Sequence, residues 1–477
     1  MKHYTTLLAS LCITSTLFGA VATDEKIDKL TQEVQELKKE LSALKEQQQN
    51  DIDDLYDFTE SVETRILEDK IKFSLGLKFG DDFITKHYLN GVTVHSNNLL
   101  NTKFMLGMYA KITEDLNFHG RLSMYKYWGS SRVHSYSYFD NMQGRVPSSS
   151  GLYVERAYIN WFIVQDAMIP VALTIGRQPS SDGPSHQFKD NLQRKATYSA
   201  LLYDGAADGA VLTLNLSKVL LDKTYMRLGY SKGFGYVNSD QYVGNAYIGA
   251  SNSDIKDTNL YGVFFDTALP NVENSLVQLS YSRMNDIIAN PLDINYTNNQ
   301  NIGDMDLFGV MVEVSDFQES GLDLFAHYGY NKSHPNGATY VDPAGNVVGL
   351  LGDGTQSKSG SAYWLGGRYA LDKQGQYRIG FEYNHGSQNW VSLTQGAYDL
   401  YNKLATRGDV YETYISYIPN RYLNFRLGYL DINYKYRGSG WFIGDATPLD
   451  VAASSSSNTQ CIVDKLHAIY LKMNVNY

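Results

Sequence analysis

The chain has 477 residues, of which 38 are Tyr, 19 Phe and 5 Trp, against only 2 Cys and 10 Pro. Charged residues make up 19% and hydrophobic residues 43%, a balance that excludes intrinsic disorder. The net charge of −10 excludes a general nucleic-acid binder, whose surface must be basic.

The chain opens on an address. Lys2 and His3 precede an apolar run from Leu7 to Phe18, and Ala20-Val21-Ala22 supplies a small-x-small cleavage pattern. This reads as a secretory signal over 1–22 that removes Cys12 and leaves Cys461 as the single thiol, without a disulfide or a C-x-x-C site. No later run is long and apolar enough for a transmembrane helix, so membrane residence implies a β-barrel.

Residues 23–69 follow the helical period. Ile27, Leu30, Val34, Leu37, Leu41, Leu44, Leu55, Phe58 and Val62 recur in alternating steps of three and four, with Gln48 and Asp51 in two core slots. The pattern predicts a periplasmic coiled-coil stalk of about 40 residues, or about 60 Å. Val and Ile at one core position with Leu at the other lean towards a dimer, an inference that Leu41 weakens. The stalk holds most of the chain's negative charge.

From Ile71 the period changes to two. Apolar files such as Ile71-Phe73-Leu75-Leu77-Phe79, Phe308-Val310-Val312-Val314 and Leu423-Phe425-Leu427-Tyr429 alternate with polar residues. Ten-residue segments with apolar-out, polar-in alternation are the signature of a transmembrane β-barrel. Sixteen strands are counted over 70–477, starting near residues 70, 100, 116, 152, 170, 209, 223, 258, 275, 305, 321, 360, 376, 409, 422 and 466. Short connections, such as Thr113-Glu114-Asp115 and 316–320, alternate with long ones at 81–99, 128–151, 179–208, 233–257, 285–304, 332–359, 388–408 and 434–465. That asymmetry matches short periplasmic turns and long outer loops. The fold class is therefore an all-β, sixteen-stranded antiparallel barrel behind a helical stalk. The last strand, with Ile469, Leu471, Met473, Val475 and Tyr477 on one face, resembles the assembly signal read by the outer-membrane assembly machinery. Abundant Tyr fits two aromatic girdles in outer-membrane lipid.

Phase places Lys103, Lys111, Arg121 and Arg156 on inward faces, and Arg177 on an outward one at a loop junction or past a bulge. Arg227, Glu313, Asp323, Arg368, Arg378, Glu382, Glu412 and Arg426 are further inward charges. The ten His are scattered, with no H-E-x-x-H, G-x-S-x-G, P-loop or dinucleotide fingerprint. Asp304 and Asp306 lack the spacing of a calcium loop. The expectation is a non-enzymatic chain with no cofactor and no metal site.

With its eight long loops, the strand ending VALTIGRQP (171–179) and the stretch ERAYINWF (155–162), the barrel resembles the trimeric porins of Gram-negative outer membranes. The stalk combined with GRQPSSDGP (176–184) is closer to a porin-like family of unknown function. The resemblance implies that the third long loop folds inward to a constriction, here carrying Asp182, His186, Lys189, Asp190, Arg194, Lys195, Asp204 and Asp208. It also implies a basic wall opposite, here Lys103, Lys111, Arg121, Arg156 and Arg177. The leading expectation is a homotrimeric channel for passive diffusion of small hydrophilic solutes and ions, oligomerised through the stalk. Two alternatives stand beside it. One is a substrate-selective channel in which Tyr198 and Tyr203 stack a sugar. The other is a structural or adhesive protein bound to peptidoglycan.

Overall fold

The computed structural model describes residues 32–49, 70–129, 149–179, 183–194, 196–234, 255–289, 300–341, 346–394, 399–455 and 462–477, with a few positions between them (29, 52–53, 147, 242–243 and 246–247). The chain divides into two compact units, 1–70 and 71–477. In the first, residues 32–49 form one helix, α1, on which Val34, Leu37, Leu41 and Leu44 are all exposed. The signal, Ile27, Leu30, Leu55, Phe58 and Val62 lie outside the described residues.

The second unit is built on one large sheet. Its main strands are β1 Ile71–Tyr88, β2 Asn101–Lys111, β3 Leu116–Tyr127, β4 Ser149–Val164, β5 Val171–Pro179, β6 Ala206–Asn215, β7 Tyr225–Phe234 and β8 Thr258–Thr267. They continue as β9 Ser275–Asn285, β10 Gly303–Val314, β11 Leu322–Pro335, β12 Ser359–Ala370, β13 Tyr377–Gly386, β14 Gly408–Asn420, β15 Leu423–Tyr434 and β16 Val463–Asn476. Each pairs antiparallel with its chain neighbours, and β16 pairs with β1 from Gly76↔Asn476 to Tyr88↔Val463. Backbone bonds between Leu75 and Tyr477, 2.8 Å in both directions, finish that seam. The sixteen main strands close into a ring, and they are the sixteen expected from the alternation.

Side-chain phase follows the sequence files. Phe73, Leu75, Leu279, Phe308, Leu324, Leu365, Phe381, Leu427, Ile469 and Leu471 are exposed on the outside. A belt of this kind needs an apolar surrounding. Above it, at the long-loop end, Tyr hydroxyls donate to polar neighbours: Tyr281 to Asp306 (3.0 Å), Tyr383 to Asp409 (2.8 Å) and Tyr230 to Asn259 (2.9 Å). These bonds mark where the apolar belt ends. The opposite turns are tight because side chains cap them. Asp372 accepts from Tyr377 N (2.7 Å), and Asp316 from Gly321 N (2.8 Å).

Two of the boundaries that differ from expectation bear on the lumen. The first long loop does not start at residue 81, because β1 runs on to Tyr88 and pairs with the short strand Thr93–Ser96. Asp82, fully buried, is held there by Lys472 (2.5 Å) and Asn101 (2.9 Å). The third long loop ends earlier than expected, because β6 begins at Ala206 and takes in Asp208.

The seam gives a direct test. Phe83 and Ile469 face each other across β1 and β16. With Cys461→Ser as background, Phe83→Cys with Ile469→Cys is expected to oxidise to an intrachain disulfide in the folded barrel. Phe83→Cys with Tyr429→Cys, one strand further away, is not. Gel mobility with and without reductant reads the difference.

Candidate functional site: the inward loop and the lumen

The loop between β5 and β6 enters the lumen and docks on the far wall. Gly183-Pro184-Ser185 leads into the short helix α2 (His186–Asp190), which Asn191 ends in the left-handed conformation. On β10, Glu313 accepts from Ser185 Oγ (2.8 Å) and Gln187 Nε2 (3.1 Å). On β12, Arg368 donates to Phe188 O and to Asn191 Oδ1 (3.1 Å). Lys189 reaches Glu412 on β14 at 3.0 Å. Asp190 binds Arg426 on β15 (2.8 Å) and Lys78 on β1 (2.6 Å). The loop thus leaves the wall at β5 and is bonded to strands from β10 round to β1.

A second loop, between β13 and β14, fills the space beside it. The two are tied backbone to backbone: Leu393 N donates to Leu202 O (2.8 Å) and Asp204 N to Leu393 O (3.0 Å). Lys403 of the second loop is 1% exposed and sits between Glu382 and Glu412, 2.5 Å from the latter. Tyr401 donates to Asp82 at 2.6 Å. Around these charges the loops build an apolar core inside the barrel, with Phe188, Leu201, Leu202, Trp390 and Leu404 packed on wall residues Leu307, Phe325 and Trp364. The contact is close enough to require wall glycines. A Cβ on Gly309 would lie 2.3 Å from Leu202, and one on Gly329 would lie 2.5 Å from Trp390.

Burial works against the ionised form of Asp190, but Lys78 and Arg426 outweigh it and hold the carboxyl well below the ordinary range. Burial likewise works against charged Lys403, and Glu382 and Glu412 outweigh it, raising that group. The signs run in opposite directions. The Asp190 contribution is complete above its unfolded value of about 4 and is lost as pH falls through the depressed folded value. The Lys403 contribution is complete below about 10.4 and is lost as pH rises through the raised one.

The residues expected to form a basic wall fall in different places. Lys103, Arg121 and Arg156 face inward and surround Glu155, with Lys103 at 3.7 Å and Arg121 closer. Glu155 was not among the expected inward charges. A bulge opposite Arg121/Leu122 turns both Glu155 and its neighbour Arg156 inward, which strict alternation forbids. Lys111 does not belong to the wall. It lies at the short-turn rim, half exposed, on Glu114 at 2.6 Å. Arg177 does not belong either. It pairs across β5 and β6 with Asp208 at 3.1 Å, on the outward phase, so neither residue lines the constriction.

Of the remaining loop residues, His186 meets buried Asp204 at 3.1 Å. Arg194 is exposed in the chamber on the short-turn side. Asp182 and Lys195 lie outside the described residues. Glu313, Arg368, Glu382, Glu412 and Arg426, expected only as scattered inward charges, are the residues that receive the loop.

Ser199 Oγ lies 2.7 Å from His327 Nδ1 and Ser185 Oγ 3.1 Å from Nε2, beside Glu313. Ser, His and Glu in contact are the ingredients of acyl transfer. Here the carboxylate bonds Ser185 rather than the imidazole, hydroxyls occupy both ring nitrogens, and Ser185, Ser199 and His327 are each 3% exposed or less. The group fixes the loop to the wall.

Two spaces flank the docked loop. A cavity of about 110 Å3 lies against β1–β3 and β14–β16, lined by Lys78, Lys103, Asp190, Glu412, Arg426 and Lys472 among others. A chamber of about 840 Å3 opens on the short-turn side, lined by Arg194, Glu313, Asp323, Arg368 and Arg378 among others.

The model of the DUF3373 family, described as a protein of unknown function, matches residues 93–477. The chain belongs to this family. No curated protein matches it. Among solved structures, Pseudomonas putida OprB at high pH is similar over 87% of this chain and 96% of its own, with 12% identity and a TM-score of 0.48. Salmonella typhi OmpF in complex with daunomycin covers 86% and 99%, at 12% identity and a TM-score of 0.45. Vibrio cholerae OmpT folded in vitro covers 85% and 97%, at 11% and 0.42.

Two measurements test how the DUF3373 barrel holds its loops. Lys403→Met leaves Glu382 and Glu412 buried with Lys189 alone, and is expected to cost roughly 3–5 kcal/mol in urea unfolding. Asp190→Asn is expected to cost about 2 kcal/mol. That difference from the unaltered chain should stay constant from about pH 5 to 9 and shrink only as pH falls below about 4.

Proposed function

We propose that this DUF3373 protein is an outer-membrane channel for passive diffusion of small hydrophilic solutes and ions. The observation that carries the reading is the docked loop. It divides a sixteen-stranded lumen, wide enough for water, into a narrow charged cavity and a broad chamber. The cavity lining mixes Lys78, Lys103, Lys189, Arg426 and Lys472 with Asp190, Asp204 and Glu412, and charged linings of this kind select by field and by replacing hydration. The outward apolar belt and the Tyr bonds at its upper edge support residence in a membrane, with the short turns and α1 on the periplasmic side. A chain built this way needs no cofactor.

In this reading the stalk makes the oligomer. Val34, Leu37, Leu41 and Leu44 form an apolar file exposed on the single chain, which copies of α1 would cover. Three such helices would hold three barrels at high local concentration. The porin resemblance favours a trimer over the dimer towards which the core residues lean. Outer-membrane lipid and the assembly machinery are the partners this implies, and a periplasmic stalk also lies within reach of peptidoglycan.

Planar-bilayer recording of the signal-cleaved protein tests the channel. Stepwise openings in threes are expected, with a reversal potential in a salt gradient whose sign reports the dominant lining charge. Asp190→Ala, which releases the loop from Lys78 and Arg426, should raise unit conductance roughly 1.5-fold or more. Folded protein that never opens would transfer the weight to the structural or adhesive reading. Deleting 24–69 should leave a folded barrel that sediments as a monomer at high dilution. A truncated protein that stays trimeric would show that the stalk is not the oligomerising element.

A further inference from the structure

The loop's second half builds a feature that diffusion does not require. Tyr198 and Tyr203 leave the lumen axis and pack on the inner face of β6–β8, where Phe264 meets Tyr198 edge-on with centroids 4.6 Å apart. Together with Val211, Leu260 and the wall glycines Gly229 and Gly262 they enclose a recess at the long-loop end of the lumen. Its volume is about 70 Å3, on the measure that gives the charged cavity about 110 Å3. Its lining carries no charged side chain.

Two observations indicate that the recess is built to receive something. Tyr203 is 6% exposed, yet its hydroxyl has no hydrogen-bond partner among the described residues. A buried hydroxyl left this way costs on the order of 1–3 kcal/mol, which a guest with a matching polar atom would recover. The floor is also left open. A Cβ on Gly229 would meet Phe264, Val211 and Gly262 O at 3.6, 3.7 and 3.9 Å, all ordinary contacts, so there is room for one there and none is present. The stacked-sugar expectation for Tyr198 and Tyr203 does not suit this place, because a sugar brings many hydroxyls and the recess offers few polar partners.

We propose that this recess is a binding site for a small neutral aromatic molecule with one hydrogen-bonding group, of the size and chemistry of a phenol. The ring stacks against Tyr198 and Phe264, and its polar atom bonds the Tyr203 hydroxyl. The site does not depend on conduction, so binding tests it whether or not the barrel is open.

The experiment is saturation-transfer NMR on the full protein in lipid nanodiscs, with empty nanodiscs as background and phenol, toluene and glucose as probes. A saturable phenol signal is expected that glucose does not displace. Gly229→Leu, which fills the floor, should weaken phenol at least tenfold. Tyr203→Phe, which preserves shape, should weaken phenol about fivefold and leave toluene unchanged. No saturable phenol signal from folded protein, an undiminished signal in Gly229→Leu, or displacement by glucose would each overturn the proposal. Equal losses for phenol and toluene in Tyr203→Phe would overturn the role of the hydroxyl.

Discussion

A sheet closed on itself must send every second side chain outward and every other one into a shared interior. The β1–β16 seam imposes that condition on the entire barrel, because it leaves none of the sixteen main strands at an edge. Everything else follows from how the two faces are satisfied. Outside, the answer is uniform: branched and aromatic residues, bounded by Tyr hydroxyls that find a polar neighbour. Inside, the buried wall charges described above are met by a loop or by another wall charge, and Gly309 and Gly329 are met by loop packing.

Beside its cavity and chamber, the interior is therefore packed like a protein core where the two loops dock. Trp364 and Trp390 are fully buried, and Val410, Leu430, Ile432, Leu466 and Ala468 form an inward apolar cluster joined by Tyr401. Buried ions pair within this core at short range: Lys403 with two glutamates, Asp190 with two cations, Glu155 with three. Such pairs contribute little net stability relative to apolar packing, but removing one partner is costly. They fix which way each loop sits more than how firmly the barrel stands.

The barrel was legible in the sequence because an apolar outer face and a mixed inner one enforce a period of two, strand by strand, with no long-range information needed. The loop's destination was not. Its partners Glu313, Arg368, Glu412 and Arg426 lie more than 120 residues away, and inward phase alone says nothing about which of them the loop meets. Glu155 was hidden for a different reason, since one bulge inverts phase without leaving a mark in the apolar file. A signal for the filled lumen did exist. Leu307, Phe325, Trp364 and Ile432 are large apolar residues at inward positions, where a water-lined wall carries polar ones, and such positions predict that something packs there.

Glu382 and Glu412 stand directly opposite each other on β13 and β14, as Cα partners with both side chains in the lumen. Like charges in that arrangement repel. Lys189 from one loop and Lys403 from the other reconcile them, with Trp364 Nε1 donating to Glu382 and the Tyr470 hydroxyl to Glu412. A wall assembled before its loops enter carries an unrelieved repulsion between two neighbouring strands, and loop entry removes it. Lys403 comes from the loop that joins the two strands, whereas Lys189 comes from a loop far away in sequence, so the first loop cannot be shortened past Lys189 without a compensating change in strands it never adjoins.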